Sequence, residues 1–233
     1  MKKILFNITL ILLLSCVGSY AQDAEALLQN VKQKIDKVNN YEATGRMKTN
    51  VAFLKVPVAT VKIYFKKPNR LKVKSEKGIS FIPRGAVNLN MSGIIGDNKF
   101  TILDAGADKI GNIPVRVLKL LPLDDNSDIV LSTLYIDEAT KLIQKAKTTT
   151  KENGTYELEF SYGKYAEYSL PDKIIFSFNT RDYKLPKGVT FDFDDGSQQK
   201  KPKEDLKNKK GRAEITFSSY QINKGVLDAV FNN

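Results

Sequence analysis

Residues 131–179, LSTLYIDEATKLIQKAKTTTKENGTYELEFSYGKYAEYSLPDKIIFSFN, read as four consecutive antiparallel strands. Tyr156, Leu158, Phe160 and Tyr162 alternate with Thr155, Glu157, Glu159 and Ser161, the period of a strand buried on one face. Leu134 and Ile136 alternate with Thr133, Tyr135 and Asp137, and Ile174, Phe176 and Phe178 repeat the pattern with Lys173, Ser177 and Asn179 outward. The runs are separated by 137–140, Asp-Glu-Ala-Thr, and by Asn153-Gly154, a pair suited to a type I′ turn because both central residues need positive φ. The stretch is a meander with one apolar and one wet face, and the rest of the chain must cover the apolar one.

Working toward the N-terminus, 60–66 places Val61, Ile63 and Phe65 inward and Lys62 and Lys66 outward. After the turn Lys67-Pro68-Asn69-Arg70, Leu71 and Val73 oppose Arg70, Lys72 and Lys74. The outer face of this hairpin is strongly basic: either a solvated, aggregation-resistant face or an anion-docking patch. Residues 41–52 form another strand, with Ala43, Gly45, Met47 and Val51 on one side. Residues 23–39 form an amphipathic helix with Asp23 as N-cap and Ala24, Leu27, Leu28, Val31, Ile35 and Val38 at helical spacing. Its apolar stripe is read as a core cover; its modest basic content argues against a membrane-surface helix.

Residues 1–21 have a basic start at Lys2 and Lys3, a short apolar run, and Ser19-Tyr20-Ala21 before Gln22. This is the pattern of a cleavable export signal, too short to span a bilayer. Leu13-Leu14-Ser15-Cys16 is an imperfect lipid-attachment motif, so lipidation at Cys16 is the alternative to cleavage after Ala21, the better fit. Residues 22–233 then form one domain, expected to be monomeric and periplasmic. Cys16 is the only cysteine, and the chain has no histidine. Disulfide staples, thiol nucleophiles, Ser-His-Asp catalysis and His- or Cys-ligated metals are thereby excluded from residues 22–233. No cofactor and no metal site are expected. The net charge of +11 in an exported protein points to acidic lipid head groups or anionic partners rather than nucleic acid.

The middle, 78–123, is broken by glycine and proline, with strands expected at 100–103 and 115–121. Asp124-Asp125-Asn126-Ser127-Asp128 starts like a calcium loop, but Ile129 stands where glycine is needed and Tyr135 where the closing glutamate belongs, so it is an acidic turn. Val189, Phe191 and Phe193 suggest a strand, the lysine-rich 200–212 a loop, and Ala213, Ile215 and Phe217 a last strand reaching Tyr220. The sum is a mainly β protein with one strong helix. A long antiparallel sheet with a polar outer face twists and curls, leaving helix and loops to close its concave apolar side. That trough is either a packed core or a cavity for a small hydrophobic ligand.

At this point the chain resembles the periplasmic lipoprotein carriers of the LolA/LolB type. The resemblance lies in the helix followed by Asn40-Tyr41-Glu42-Ala43, in Phe65-Lys66-Lys67-Pro68-Asn69-Arg70-Leu71, and in Leu134-Tyr135-Ile136-Asp137. It continues through 147–160, Leu170-Pro171-Asp172-Lys173 and Leu185-Pro186-Lys187-Gly188-Val189, in order over most of the chain. It implies an unclosed β-barrel lidded by the N-terminal helix and loops, with lipoprotein or lipid acyl chains as ligand, an inner-membrane donor and an outer-membrane acceptor. The chain departs from the pattern in having Lys67 where carriers often have arginine, without that residue's forked donors, and in having no tryptophan.

On this reading the protein is a non-enzymatic binder. The acyl-chain face would comprise Met47, Val61, Ile63, Phe65, Leu71, Val73, Ile102, Leu134, Ile136, Phe160 and Phe176, with Lys67 and Arg70 at the rim for head groups. The alternative is an envelope stress sensor of the same fold that binds lipoprotein and a membrane-anchored partner. An enzyme would need a carboxylate pair, and the candidates Asp104, Asp108, Asp137 and Glu138 all fall at expected turns with no spacing that forces them together.

Overall fold

A computed structural model describes residues 17–51, 54–55, 58–68, 70–75, 95, 99–152, 154–179 and 210–232, with side chains from residue 23 onward except at 51, 54, 55, 179 and 210. The strand expected around Val189, Phe191 and Phe193, and most of the lysine-rich segment, lie outside the described residues, as does Asn153.

Among the described residues one α-helix, α1 (Val17–Ile35), precedes eleven strands. They are β1 (Asn40–Val51), β2 (Leu54–Lys55), β3 (Ala59–Lys66), β4 (Arg70–Ser75), β5 (Phe100–Ile110), β6 (Ile113–Pro122), β7 (Ile129–Asp137), β8 (Leu142–Thr150), β9 (Gly154–Ser161), β10 (Lys173–Asn179) and β11 (Lys210–Ile222). They form one sheet in the order β4-β3-β1-β11-β10-β9-β8-β7-β6-β5, with β2 added beside β1. All pairings are antiparallel, and among the described residues β4 and β5 end the order without pairing to each other, so the sheet is an unclosed barrel. The four-strand meander is β7–β10, and Gly154 takes φ +70° as the expected turn requires.

Three expectations are corrected. The helix ends at Ile35 rather than residue 39, and it begins at Val17, so Asp23 lies within it instead of capping it. The two short strands of the middle are a long hairpin, β5 with β6, whose ladder runs from Phe100↔Pro122 to Ile110↔Ile113. Asp104 and Asp108 are therefore strand residues, not turn residues. The strand runs on past residue 103 through Gly106, which at φ +88° sits in a β-bulge where its backbone N–H donates to Asp104 Oδ1 (2.8 Å).

A second bulge reconciles an odd pattern in the last strand. Ala213, Ile215 and Phe217 follow period two, whereas Tyr220 breaks it. Ser218 is the extra residue, because Thr44 pairs with Ser219 and Gly45 with Phe217. Its Oγ donates to the Thr44 carbonyl (3.0 Å), and the shift lets Ile215 and Tyr220 both be buried. Gly45 faces this bulge. A Cβ there would lie 2.8 Å from the Thr216 carbonyl oxygen, so the close approach of the two strands requires glycine.

The core is one cluster between α1 and the concave face. Ala24, Leu27, Leu28, Val31 and Ile35 of the helix pack with inward residues of the sheet. Each of the larger side chains contributes about 1.5–3 kcal/mol on burial, which holds an otherwise marginal helix. Asn223, at φ +55°, ties the helix-to-β1 link. Its Oδ1 accepts from the Asn39 (2.7 Å) and Asn40 (3.3 Å) N–H groups, and its Nδ2 donates to the Lys37 carbonyl (2.8 Å).

Candidate ligand-binding face

The register builds the concave face row by row. One row crosses eight strands as Thr49, Ala213, Phe176, Leu158, Ala146, Leu134, Leu118 and Asp104. The next runs Phe178, Tyr156, Thr148, Ser132, Leu120 and Ile102. At the other side, Phe65, Ile63 and Val61 of β3 stand opposite Leu71, Val73 and Ser75 of β4, and Tyr41, Ala43 and Gly45 of β1.

All eleven acyl-face candidates lie on this inner surface. Met47, Val61, Ile63, Phe65, Leu134, Ile136, Phe160 and Phe176 are buried. Leu71, Val73 and Ile102, on the two edge strands, are half-buried against the same cluster. Several contributors escaped the sequence reading, among them Tyr41, Leu118, Leu158 and Tyr220, all in that cluster. Alternation already pointed Leu158 inward; Tyr220 was hidden by the bulge.

Aromatic rings concentrate under the helix end. Tyr220 lies with its ring centroid 5.5 Å from Tyr41, 5.0 Å from Tyr165 and 5.0 Å from Phe217. Its hydroxyl donates to the Pro171 carbonyl (2.8 Å), as that of Tyr162 does to the Ile143 carbonyl (2.8 Å). Burial pushes the phenols of Tyr41, Tyr162 and Tyr220 well above the ordinary tyrosine range, so all three are neutral at physiological pH. They serve the face as apolar bodies, and the hydroxyls of Tyr162 and Tyr220 are satisfied by those carbonyls.

Two polar pairs lie on the face, whereas the buried Oγ1 of Thr49 has no hydrogen-bond partner among the described residues. Ser132 and Thr148, both buried, hydrogen-bond to each other (3.0 Å). Arg116, opposite inward Ile136, donates through Nε to Asp104 Oδ2 (2.9 Å) and through Nη2 to the same oxygen. These hydrogen bonds raise the Arg116 pKa further above its ordinary value, against some desolvation, and Asp104, Glu138 and Asp23 add favourable charge. Of the acid candidates, Asp104 is thus committed to a guanidinium, and Asp137 accepts from the Ala139 N–H (2.9 Å) and the Thr140 hydroxyl (2.7 Å) of its own turn.

The helix is pinned at its C-terminal end. Lys67 Nζ donates to the Asp36 carbonyl (2.8 Å) and carboxylate (3.1 Å), and Lys34 Nζ donates to the Thr140 carbonyl (2.8 Å). A lysine in the place of the carriers' arginine thus joins the β3–β4 turn to the residue just after the helix. Arg70 is elsewhere. It stands opposite Lys66 on the outer face, ion-paired with Asp228 of the C-terminal tail and stacked 4.5 Å from the centroid of Phe231.

Solved structures of the same shape can be set beside this geometry. A domain classed with outer membrane lipoprotein-sorting proteins, from Vibrio parahaemolyticus, superposes with a TM-score of 0.59 at 13% identity, covering 91% of this chain and 97% of that one. A LolA superfamily protein from Nitrosomonas europaea matches with a TM-score of 0.55 at 11% identity over 88% of this chain and 97% of its own. The fold is that of the LolA superfamily. The LolA-like shape extends to a DUF1329 family protein from Desulfovibrio piger, with a TM-score of 0.56 at 14% identity over 91% of this chain and 97% of that one. No protein-family model and no curated protein matches the sequence, so the likeness lives in the fold rather than in residue identity.

Proposed function

We propose that the protein is a non-enzymatic periplasmic binding protein that shields the acyl chains of lipoproteins or lipids against its concave face during transport to the outer membrane. The observation that supports this is one apolar face carried across the unclosed sheet, with α1 over it and half-buried Leu71, Val73 and Ile102 on the strands that end the order. Acyl chains bind such a face by burial alone, at ~0.8 kcal/mol per methylene, and need no reactive group. The Vibrio relative's grouping with lipoprotein-sorting proteins agrees with this chemistry. In this reading α1 is the lid and the Lys67–Asp36 pair its latch. Lys67 and Arg70 meet anionic head groups, Arg70 in exchange for Asp228.

Native mass spectrometry of protein purified from a bacterial envelope tests the proposal. Co-purifying mass of one or more acyl chains is expected, restored by added fatty acid after delipidation. A bare polypeptide that also ignores added fatty acid would overturn it.

A further inference from the structure

Outward residues of the sheet differ sharply between its two halves. On β8–β11 positive and negative side chains interleave: Lys145 and Lys147 pair with Glu157 (3.0 and 3.7 Å), and Lys173 and Arg212 with Glu214 (3.6 and 3.3 Å). On β1, β3 and β4 the ladder instead turns Arg46, Lys48, Lys62, Lys66, Arg70, Lys72 and Lys74 to the same outer face. Among the described residues the acids there are Glu42, 3.8 Å from Lys62, and Asp228 of the tail, with Glu214 of neighbouring β11 in register with Lys48. Lys62 stands directly opposite Lys74, and Lys66 opposite Arg70. Like charges in cross-strand register destabilise a sheet, and mixed signs would give solubility without that cost.

The patch already holds a carboxylate. Asp228 Oδ1 lies 2.9 Å from Lys66 Nζ and also accepts from Arg70 Nη1, while Lys72 Nζ donates to the Asn232 carbonyl (3.1 Å). Beside Asp228, Leu227 is 78% exposed, the highest exposure among the large hydrophobic side chains described. Cations that hold a tail carboxylate next to an exposed leucine match a surface of anionic head groups over hydrocarbon.

We propose that the outer face of β1, β3 and β4 docks on an anionic lipid bilayer, with Leu227 entering at head-group depth. The inference stands apart from acyl-chain carriage, since the docking face is on the opposite side of the sheet and needs no bound ligand. Arg46, Lys48 and Lys74 are exposed, so their replacement tests the surface without disturbing the core.

The experiment is co-sedimentation of the exported protein, at about 0.1 M salt, with phosphatidylglycerol–phosphatidylcholine vesicles and with phosphatidylcholine vesicles. The triple variant Arg46→Glu/Lys48→Glu/Lys74→Glu is compared with Lys109→Glu/Lys119→Glu/Lys164→Glu, which changes net charge equally at exposed positions elsewhere. Each cation near an anionic surface gives about a fivefold gain in binding, so the first variant should bind anionic vesicles at least about a hundredfold more weakly. The second should bind within about threefold of wild type, and Leu227→Ser should weaken binding on its own. Unchanged melting temperatures confirm that the variants fold. Equal losses in both triple variants, or wild-type protein that ignores anionic vesicles, would overturn the proposal, the latter leaving an acidic protein as the face's partner.

Discussion

Replacing Leu134 by alanine separates a packed interior from a ligand-facing one when it is set against Leu71→Ala. Leu134 is 0% exposed at the middle of β7, between Leu118 and Ala146 in its row. Truncation removes about three methylene equivalents, roughly 2.4 kcal/mol of transfer free energy. The neighbouring strands are hydrogen-bonded on both sides and cannot collapse, so a cavity penalty brings the loss to about 3–4 kcal/mol. For a domain of this size that lowers the melting temperature by roughly 10 °C. Leu71 is half-buried on edge strand β4, where solvent or ligand reaches the vacated space, so Leu71→Ala should cost only about 1 kcal/mol. On the proposed acyl-chain reading, the same Leu71 change should weaken a fluorescent fatty-acid probe about fivefold, because one wall of the proposed site is lost. Urea denaturation gives the two stabilities and probe titration the affinities. A Leu134→Ala loss no larger than that of Leu71→Ala would refute the reasoning, since it would place a pre-existing void beneath the central strand.

Gly45→Ala should destabilise by about 1–3 kcal/mol, because its Cβ would press on the Thr216 carbonyl, and chemical denaturation reads the loss directly. Lys67→Met removes an exposed ion pair and should cost under about 1 kcal/mol; its signature is faster hydrogen exchange, up to about fivefold, in the last turn of α1. Alkaline stability follows from the buried phenols. Their folded pKa values exceed the unfolded value of about 10, so the stability they contribute is complete below that pH and is lost as pH rises through and beyond it. Unfolding followed from pH about 9 upward should therefore show a falling melting temperature, and Tyr220→Phe should flatten the fall.

The meander was legible because every turn between β7 and β10 falls where period-two alternation stops, and the inward set from Leu134 to Phe176 came with it. What could not be read were the places where the backbone changes count. Ser218 moves Tyr220 to the core face through one extra residue, and no local feature of Phe217-Ser218-Ser219-Tyr220 marks which serine is surplus. The strand expected at 100–103 likewise continues through a kink at Gly106 to Ile110. The Asp104–Arg116 pair followed these errors. Once Asp104 was assigned to a turn, its inward direction and its partner twelve residues later were both out of reach. Arg70 was read as outward, where it stands, but nothing local marks its contact with the tail, more than 150 residues away.

An unclosed sheet must keep two edges from pairing with each other or with a neighbouring molecule, and the two are protected by different means. Edge β5 carries the Gly106 bulge and Asp108, which bends the ladder and puts charge beside it. Edge β4 carries Lys72 and Lys74, with the C-terminal tail fastened across its outer side by Asp228, Phe231 and Asn232. Closing the barrel would satisfy both edges and remove the need for either device, so their presence argues that the gap is maintained. The tail then holds two consequences in one contact. It protects an edge that must remain unpaired, and it seats a carboxylate on the cations with which that face would meet a membrane. Asp228→Asn should therefore act oppositely to Arg46→Glu, freeing Lys66 and Arg70 and raising affinity for anionic vesicles by up to about twenty-fivefold for the two cations. Weaker binding by Asp228→Asn would show that the tail completes the docking surface rather than competing for it.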